Sequence, residues 1–113
     1  MPATAGTLSD ILKNGDAVFI VAKDDDRIIG VASLYVMRKI HKNTGSVEDV
    51  VVDEGYRGQG LGEKIMLKLI EVARAKGLQT LTLTSRPERV AGNKLYQKLG
   101  FVIKETNAYR LQL

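Results

Sequence analysis

The chain has 113 residues, with 17 Lys+Arg against 13 Asp+Glu; the resulting +4 suits anionic ligands but is too dispersed to mark a nucleic-acid surface. It has no cysteine and one histidine, His41, which excludes disulfides, thiolate zinc sites, cysteine nucleophiles and multi-histidine metal clusters. Without tryptophan, a membrane-length apolar run or an apolar stretch behind a basic start, the expectation is one domain over residues 1–113, in the cytoplasm, with neither nucleic-acid nor membrane partners.

Residues 7–14 (TLSDILKN), closed by Gly15, read as a short helix. Residues 17–23 (AVFIVAK) and 27–37 (RIIGVASLYVM), joined at Asp24-Asp25-Asp26, read as an antiparallel hairpin. Residues 38–45 are polar and read as a loop holding a solvated His41. Residues 46–53 (SVEDVVVD) form a third strand, whose run Val50-Val51-Val52 suggests cover on both faces. From 60 to 76, Leu61, Ile65, Leu69 and Ala73 recur at helical spacing, with Met66 and Ile70 beside them, and Gly77 ends the helix. Residues 80–85 (TLTLTS) alternate as a strand. A second helix over 87–99 takes Pro87 into its first turn and ends at Gly100. Residues 101–104 (FVIK) and 108–113 (AYRLQL) read as two last strands. The expected fold class is α+β: a mixed, mostly antiparallel sheet with a central βαβ unit flanked by helices. That unit, strand 46–53, helix 60–76 and strand 80–85, should pair in parallel with a right-handed crossover.

Arg57-Gly58-Gln59-Gly60-Leu61-Gly62 lies between a strand and a helix. Glycines there permit φ > 0, and successive backbone N–H groups at a positive helix end suit a pyrophosphate. Two better-known phosphate motifs fail. A P-loop needs lysine where Leu61 stands, and the dinucleotide fingerprint needs glycine where Glu63 stands.

Arg57-x-x-Gly60-x-Gly62 resembles the acetyl-coenzyme A (acetyl-CoA) motif of the GNAT N-acetyltransferase superfamily. So do the strand before it, the helix after it, and the later stretch Asn93-Lys-Leu-Tyr96-Gln-Lys-Leu-Gly100-Phe101. The resemblance covers residues 17–113 and is nearest to small bacterial acetyltransferases. Along 47–62 it also extends to glucosamine-6-phosphate N-acetyltransferases. It implies the acyl-CoA N-acyltransferase fold and acetyl transfer from acetyl-CoA to a primary amine, on a small molecule or a peptide, without metal. The backbone of Val50, Val51 and Val52 is implied to pair with the pantetheine arm, in a splay between strands 46–53 and 80–85. Arg57 and the N–H groups of Gly58, Gln59, Gly60, Leu61, Gly62 and Glu63 are implied to hold the pyrophosphate, with Lys64 in reach of a phosphate. Tyr96 matches a tyrosine placed near the coenzyme sulfur, a general acid for the departing thiolate, unless it serves only as a core residue. Glu48 and Asp49 sit where relatives carry the carboxylate that deprotonates the acceptor ammonium. Strict alternation sends these two to opposite faces, so one of them, with preference to Glu48, is expected in the cleft.

The sequence departs from relatives in three places. Many carry an asparagine where Arg89 stands, with Asn93 following, so Arg89 and Asn93 are the expected coenzyme contacts there. The aspartate that anchors the amino sugar in glucosamine-6-phosphate enzymes has no counterpart near Thr84-Ser85-Arg86, which argues against that acceptor. A strand and a helix usually precede the segment at 7–14; without them strand 17–23 is expected to expose an edge that a second copy covers, as a homodimer. The alternative to an enzyme is a non-catalytic acyl-CoA binding module.

Overall fold

In the computed structural model of the protein, residues 7–14 are described by their backbone course and residues 16–113 in full. Two compact units divide at Leu83/Thr84, and each is described by itself. The first holds strands β1 (Thr7–Asn14), β2 (Ala17–Asp24), β3 (Arg27–Arg38), β4 (Asn43–Val52) and β5 (Thr80–Thr82), with helix α1 (Leu61–Ala75). The sheet order is β1-β2-β3-β4-β5. Neighbours from β1 to β4 are antiparallel, and β4 pairs with β5 in parallel from Thr44↔Thr80 to Ser46↔Thr82.

Period-2 alternation divides the sheet between two faces. Val18, Ile20 and Ala22 of β2 lie opposite Leu34, Ala32 and Gly30 of β3, and so share one face. Helix α1 covers that face. A Cβ on Gly30 would meet Ile65 Cδ1 at 2.6 Å, so the helix approaches there as closely as a bare backbone allows. Leu61, Ile65, Met66, Leu69 and Ala73 are the buried residues of α1, the stripe expected from their spacing. Gly45 marks a second close approach. An added Cβ would lie 2.7 Å from Leu34 Cδ1, 2.8 Å from Leu81 Cδ2 and 2.9 Å from Leu78 Cδ1.

The helix expected at 7–14 is a strand. It pairs along β2 from Thr7↔Lys23 to Asn14↔Ala17, with a register shift between Asp10 and Leu12. Eight residues make a marginal helix alone, whereas the β2 edge offers a continuous ladder of partners. Gly15, the expected cap, lies outside the described residues. Because β1 covers the β2 edge, that edge no longer argues for a second copy of the chain.

The loop expected at 38–45 is shorter: Lys39 N–H donates to Lys42 O at 3.1 Å, and β4 already begins at Asn43. The strand expected at 80–85 stops at Thr82. In the second unit, α2 (Val90–Lys98) starts three residues later than expected, with Pro87 in the preceding turn. The two strands expected at 101–104 and 108–113 are not formed. That segment is irregular, and Val102, Ile103, Tyr109, Leu111 and Leu113 are exposed. Alternation alone does not make a strand. A ladder partner is also needed, and α2 is the only regular element described in this unit.

Candidate functional site

Strand β4 carries a bulge. Val31 of β3 faces Val51 and Ser33 faces Glu48, so Asp49 and Val50 together oppose Ala32. Asp49 takes the extra residue's backbone, at φ 53, which is uncommon outside glycine. Ser33, 1% exposed, holds the bulge. Its Oγ lies 2.8 Å from the Glu48 carbonyl and 3.2 Å from Asp49 Oδ2, and its single proton serves both acceptors. Glu48 faces Ser33 directly, and its Oε2 accepts from Ser46 Oγ at 2.6 Å. Both carboxylates therefore turn to the sheet face opposite α1. This corrects the expectation that alternation would separate them: the bulge breaks the period between 48 and 50. Phe19 and Tyr35 lie edge to face on the same side, ring centroids 6.2 Å apart.

The β4–β5 ladder ends at Ser46↔Thr82, so β4 runs on to Val52 beyond β5. The cover expected over Val50–Val52 is not there; Val51 is 54% exposed. Strand β4 thus finishes as an extended end with half-exposed valines and a side that β5 leaves unpaired.

Past Val52 the chain makes a 3-10 turn, Glu54–Tyr56, capped by Asp53. Asp53 Oδ1 accepts from Gly55 N–H at 3.2 Å and its Oδ2 from Arg27 Nη2 at 2.6 Å. Tyr56 donates its hydroxyl to Asp24 Oδ2. That bond, with some desolvation and the Asp24 charge, pushes the Tyr56 phenol above the usual tyrosine value. Arg57 Nε donates to Val52 O at 3.1 Å, so the arginine folds back on the strand end. Gly58 (φ 77) and Gly60 (φ 80) are both left-handed, and an added Cβ on either meets nothing within 4 Å. The demand for glycine here is torsional, and the space beside the backbone is open. Gly60 caps α1, so the N–H groups of Leu61 and Gly62 in its first turn have no acceptor within the helix.

In the second unit, Tyr96 is the buried residue of α2. Phe101 N–H donates to Tyr96 O at 3.0 Å and Gly100 N–H to Gln97 O at 3.1 Å, with Gly100 at φ 103. This is a Schellman end, and the Tyr96–Phe101 ring pair, centroids 6.1 Å apart, supplies its apolar contact. The tyrosine hydroxyl has no hydrogen-bond partner among the described residues. Asn93 Nδ2 donates to Arg86 O (2.9 Å) and Arg89 O (2.8 Å), which secures the turn before α2. Arg89 stands at the N-cap position with no side-chain cap bond.

A family model described as the acetyltransferase (GNAT) family matches residues 2–101. The chain belongs to the GNAT family. It is 38% identical over 108 residues to a probable glucosamine 6-phosphate N-acetyltransferase 2 of Oryza sativa subsp. japonica, covering 88% of this chain and 63% of that protein. The crystal structure of a Trypanosoma brucei acetyltransferase matches with a TM-score of 0.74 at 37% identity, over 87% of this chain and 70% of that one. A glucosamine-6-phosphate N-acetyltransferase of Arabidopsis thaliana matches with a TM-score of 0.75 at 26% identity, over 85% and 67%. The chain spans 51–63% of the length of the first curated relatives that it matches.

Within this GNAT chain the first unit brings together Glu48, Asp49, Val50–Val52 and the turn 57–63. Sequence reasoning misses four residues there. Ser33 and Ser46 bind the carboxylate segment, and Asp24 and Tyr56 tie the hairpin tip to the glycine turn. Tyr56 stands next to Arg57 of the glycine motif, but its partner is 32 residues away and no local pattern marks it.

Proposed function

We propose that the protein is an acetyl-CoA-dependent N-acetyltransferase acting on a primary amine. One observation carries the reading: a strand end free of β5 leads through one 3-10 turn to two left-handed glycines at a helix N-terminus. The backbone of Val50–Val52 offers amide partners to the pantetheine arm. The N–H groups of 58–63 offer donors to the pyrophosphate, in the open space beside Gly58 and Gly60. Bound acetyl-CoA supplies an activated acyl group as a thioester.

The chain's own residues then have three tasks. An ammonium has no lone pair, so Glu48 takes its proton, directly or through water, with Asp49 as the second carboxylate on the same face. A β4 backbone N–H polarises the acyl oxygen. Tyr96 gives its proton to the departing thiolate; this role rests on the match of Asn93–Phe101 to the family motif. The named relatives make glucosamine 6-phosphate the first acceptor to assay, although the absent aspartate near 84–86 counts against it. The homodimer expected from the sequence now rests on the exposed apolar residues of the C-terminal segment, and light scattering of the purified chain reads it directly.

The test is calorimetric titration with desulfo-CoA, followed by thiol release from acetyl-CoA across an amine panel. Glu48→Gln and Tyr96→Phe should each lower kcat about 10²–10⁴-fold with coenzyme affinity unchanged. Binding without turnover on any amine would replace the enzyme by a non-catalytic acyl-CoA module. No binding at millimolar ligand would reduce the glycine turn to a turn.

A further inference from the structure

The tip of the β2–β3 hairpin and the segment before the glycine turn are joined twice. Asp24 and Arg27 are cross-strand partners at the hairpin tip. Asp24 accepts from the Tyr56 hydroxyl, and Arg27 donates to Asp53. The other oxygen of Asp53 caps Gly55, and Asp53 N–H continues the ladder to Ile29 O at 2.7 Å. Every residue from Asp53 to Arg57 thus has a bond that fixes its course, and Gly58 comes directly after. The next three residues hold both left-handed glycines.

We infer that Tyr56 and Asp24 are positioning residues for the coenzyme pyrophosphate: their bond, seconded by Arg27–Asp53, presets the 58–63 backbone for an anion. Glycines confer the freedom that lets this turn form, and the same freedom lets it leave the binding conformation. A turn built on two closely spaced left-handed glycines therefore needs an external anchor. Tyr56 supplies one, since it sits two residues before Gly58 and is bonded to the end of β2 rather than to the turn. Arg27–Asp53 is the lesser tie, because the Arg27 side chain is 68% exposed and solvent screens the pair. Preorganisation acts on affinity, not on the transfer step.

This inference rests on the coenzyme reading proposed for the protein, and the experiment separates the two. Desulfo-CoA and 3′-phosphoadenosine 5′-diphosphate, which carries the pyrophosphate without the pantetheine arm, are titrated into the wild type, Tyr56→Phe, Asp24→Ala, Asp24→Asn and the Tyr56→Phe/Asp24→Ala double variant. Tyr56→Phe should weaken both ligands by the same factor, about threefold to tenfold. Asp24→Ala should match it, and the double variant should be no weaker than either single one. Asp24→Asn keeps an acceptor oxygen and should recover most of the affinity. KM for acetyl-CoA should rise with Kd, while kcat and the acceptor KM stay constant. In the free protein, amides 58–62 should exchange faster in Tyr56→Phe at unchanged protection of α1; a merely structural bond would loosen both. Unchanged affinity in the single variants, additive losses in the double, or a fall in kcat would overturn the inference while the coenzyme reading stands. Absence of wild-type binding to either ligand would remove both.

Discussion

Helices α1 and α2 end alike and hold their units differently. After α1, Gly77 (φ 74) donates to Arg74 O at 3.0 Å and Leu78 N–H to Ala73 O at 3.1 Å, the same pair of bonds that closes α2 at Gly100 and Phe101. Yet α1 buries five side chains and α2 one. The ends are written in local sequence, because a left-handed C′ residue is a glycine matter. The anchoring is not local. Helix α1 has a sheet face beneath it, while in its own unit α2 has Phe101 against Tyr96 and little else. The first helix is a structural beam, and the second is a short platform for one aromatic residue.

The sharpest way to break this contrast is to truncate one leucine in each helix. Leu69 is fully buried in α1 and Leu95 only half-buried in α2. Leu69→Ala should cost about 2–5 kcal/mol in urea unfolding, a large share of the roughly 5–15 kcal/mol usual for a domain. Leu95→Ala should cost about 1 kcal/mol. Equal losses would mean that α2 is anchored as deeply as α1.

The second test uses the same torsion in two places. Gly60 and Gly100 both lie at positive φ, and a Cβ on either meets nothing within 4 Å. Alanine should therefore cost about 1–2 kcal/mol at each, through the backbone alone. Gly60→Ala should also weaken desulfo-CoA, because it disturbs the turn proposed to hold the pyrophosphate. Gly100→Ala should leave that affinity unchanged. Equal affinity losses would show that the glycine turn has no special part in binding.

These pairs also separate what is legible in the sequence from what is not. The stripe of α1, the glycine turn and both helix ends depend on residues within a turn or two of one another, and the sequence displays them. Strand β1 reads as a helix because TLSDILKN has local features of one, while its ladder partner lies in β2. The bulge at Asp49 is invisible for the same reason: Ser33, sixteen residues back, holds it. Val50–Val52 read as a covered core because an apolar run usually is one; here β5 stops short and leaves that strand end open. The strands expected after Gly100 are an apolar run at 101–104 and an alternating stretch at 108–113, and neither finds a ladder in its own unit. The helix stripe, the turns, the β2–β3 hairpin and the parallel β4–β5 pairing are readable, whereas β1, the bulge and the exact strand ends, set by partners that no local pattern marks, are not.

A smaller effect comes from the Tyr56 phenol, which belongs to the unit of α1. Folding raises its pKa above the ordinary 10.0, chiefly through the bond to Asp24. The folded protein then holds that proton more tightly than the unfolded chain. Its contribution to stability is complete below about pH 10 and fades as pH climbs through the raised value. The stability difference between wild type and Tyr56→Phe should be constant from neutral pH to about pH 9 and shrink above about pH 10. A difference that grows with alkalinity would contradict the bond to Asp24.

The smallest expected change is a gain, and it tests whether α2 is only a platform. Gly92 lies inside α2 with an ordinary helical backbone, so its flexibility serves no turn there. An added Cβ would sit 3.7 Å from Tyr96 Cε2, in ordinary contact and one helical turn from the ring. Gly92→Ala should therefore stabilise the protein by about 0.5–1 kcal/mol, through lower unfolded-state entropy and better helix propensity. Thermal unfolding of the single variant reads the gain, and acetyl transfer by the same sample should keep its kcat, since a contact at 3.7 Å asks no movement of the ring. A loss of stability would mean that the ring edge beside Gly92 is filled by something other than α2 itself. A loss of kcat at full stability would mean that the glycine gives Tyr96 the freedom that its proton transfer needs.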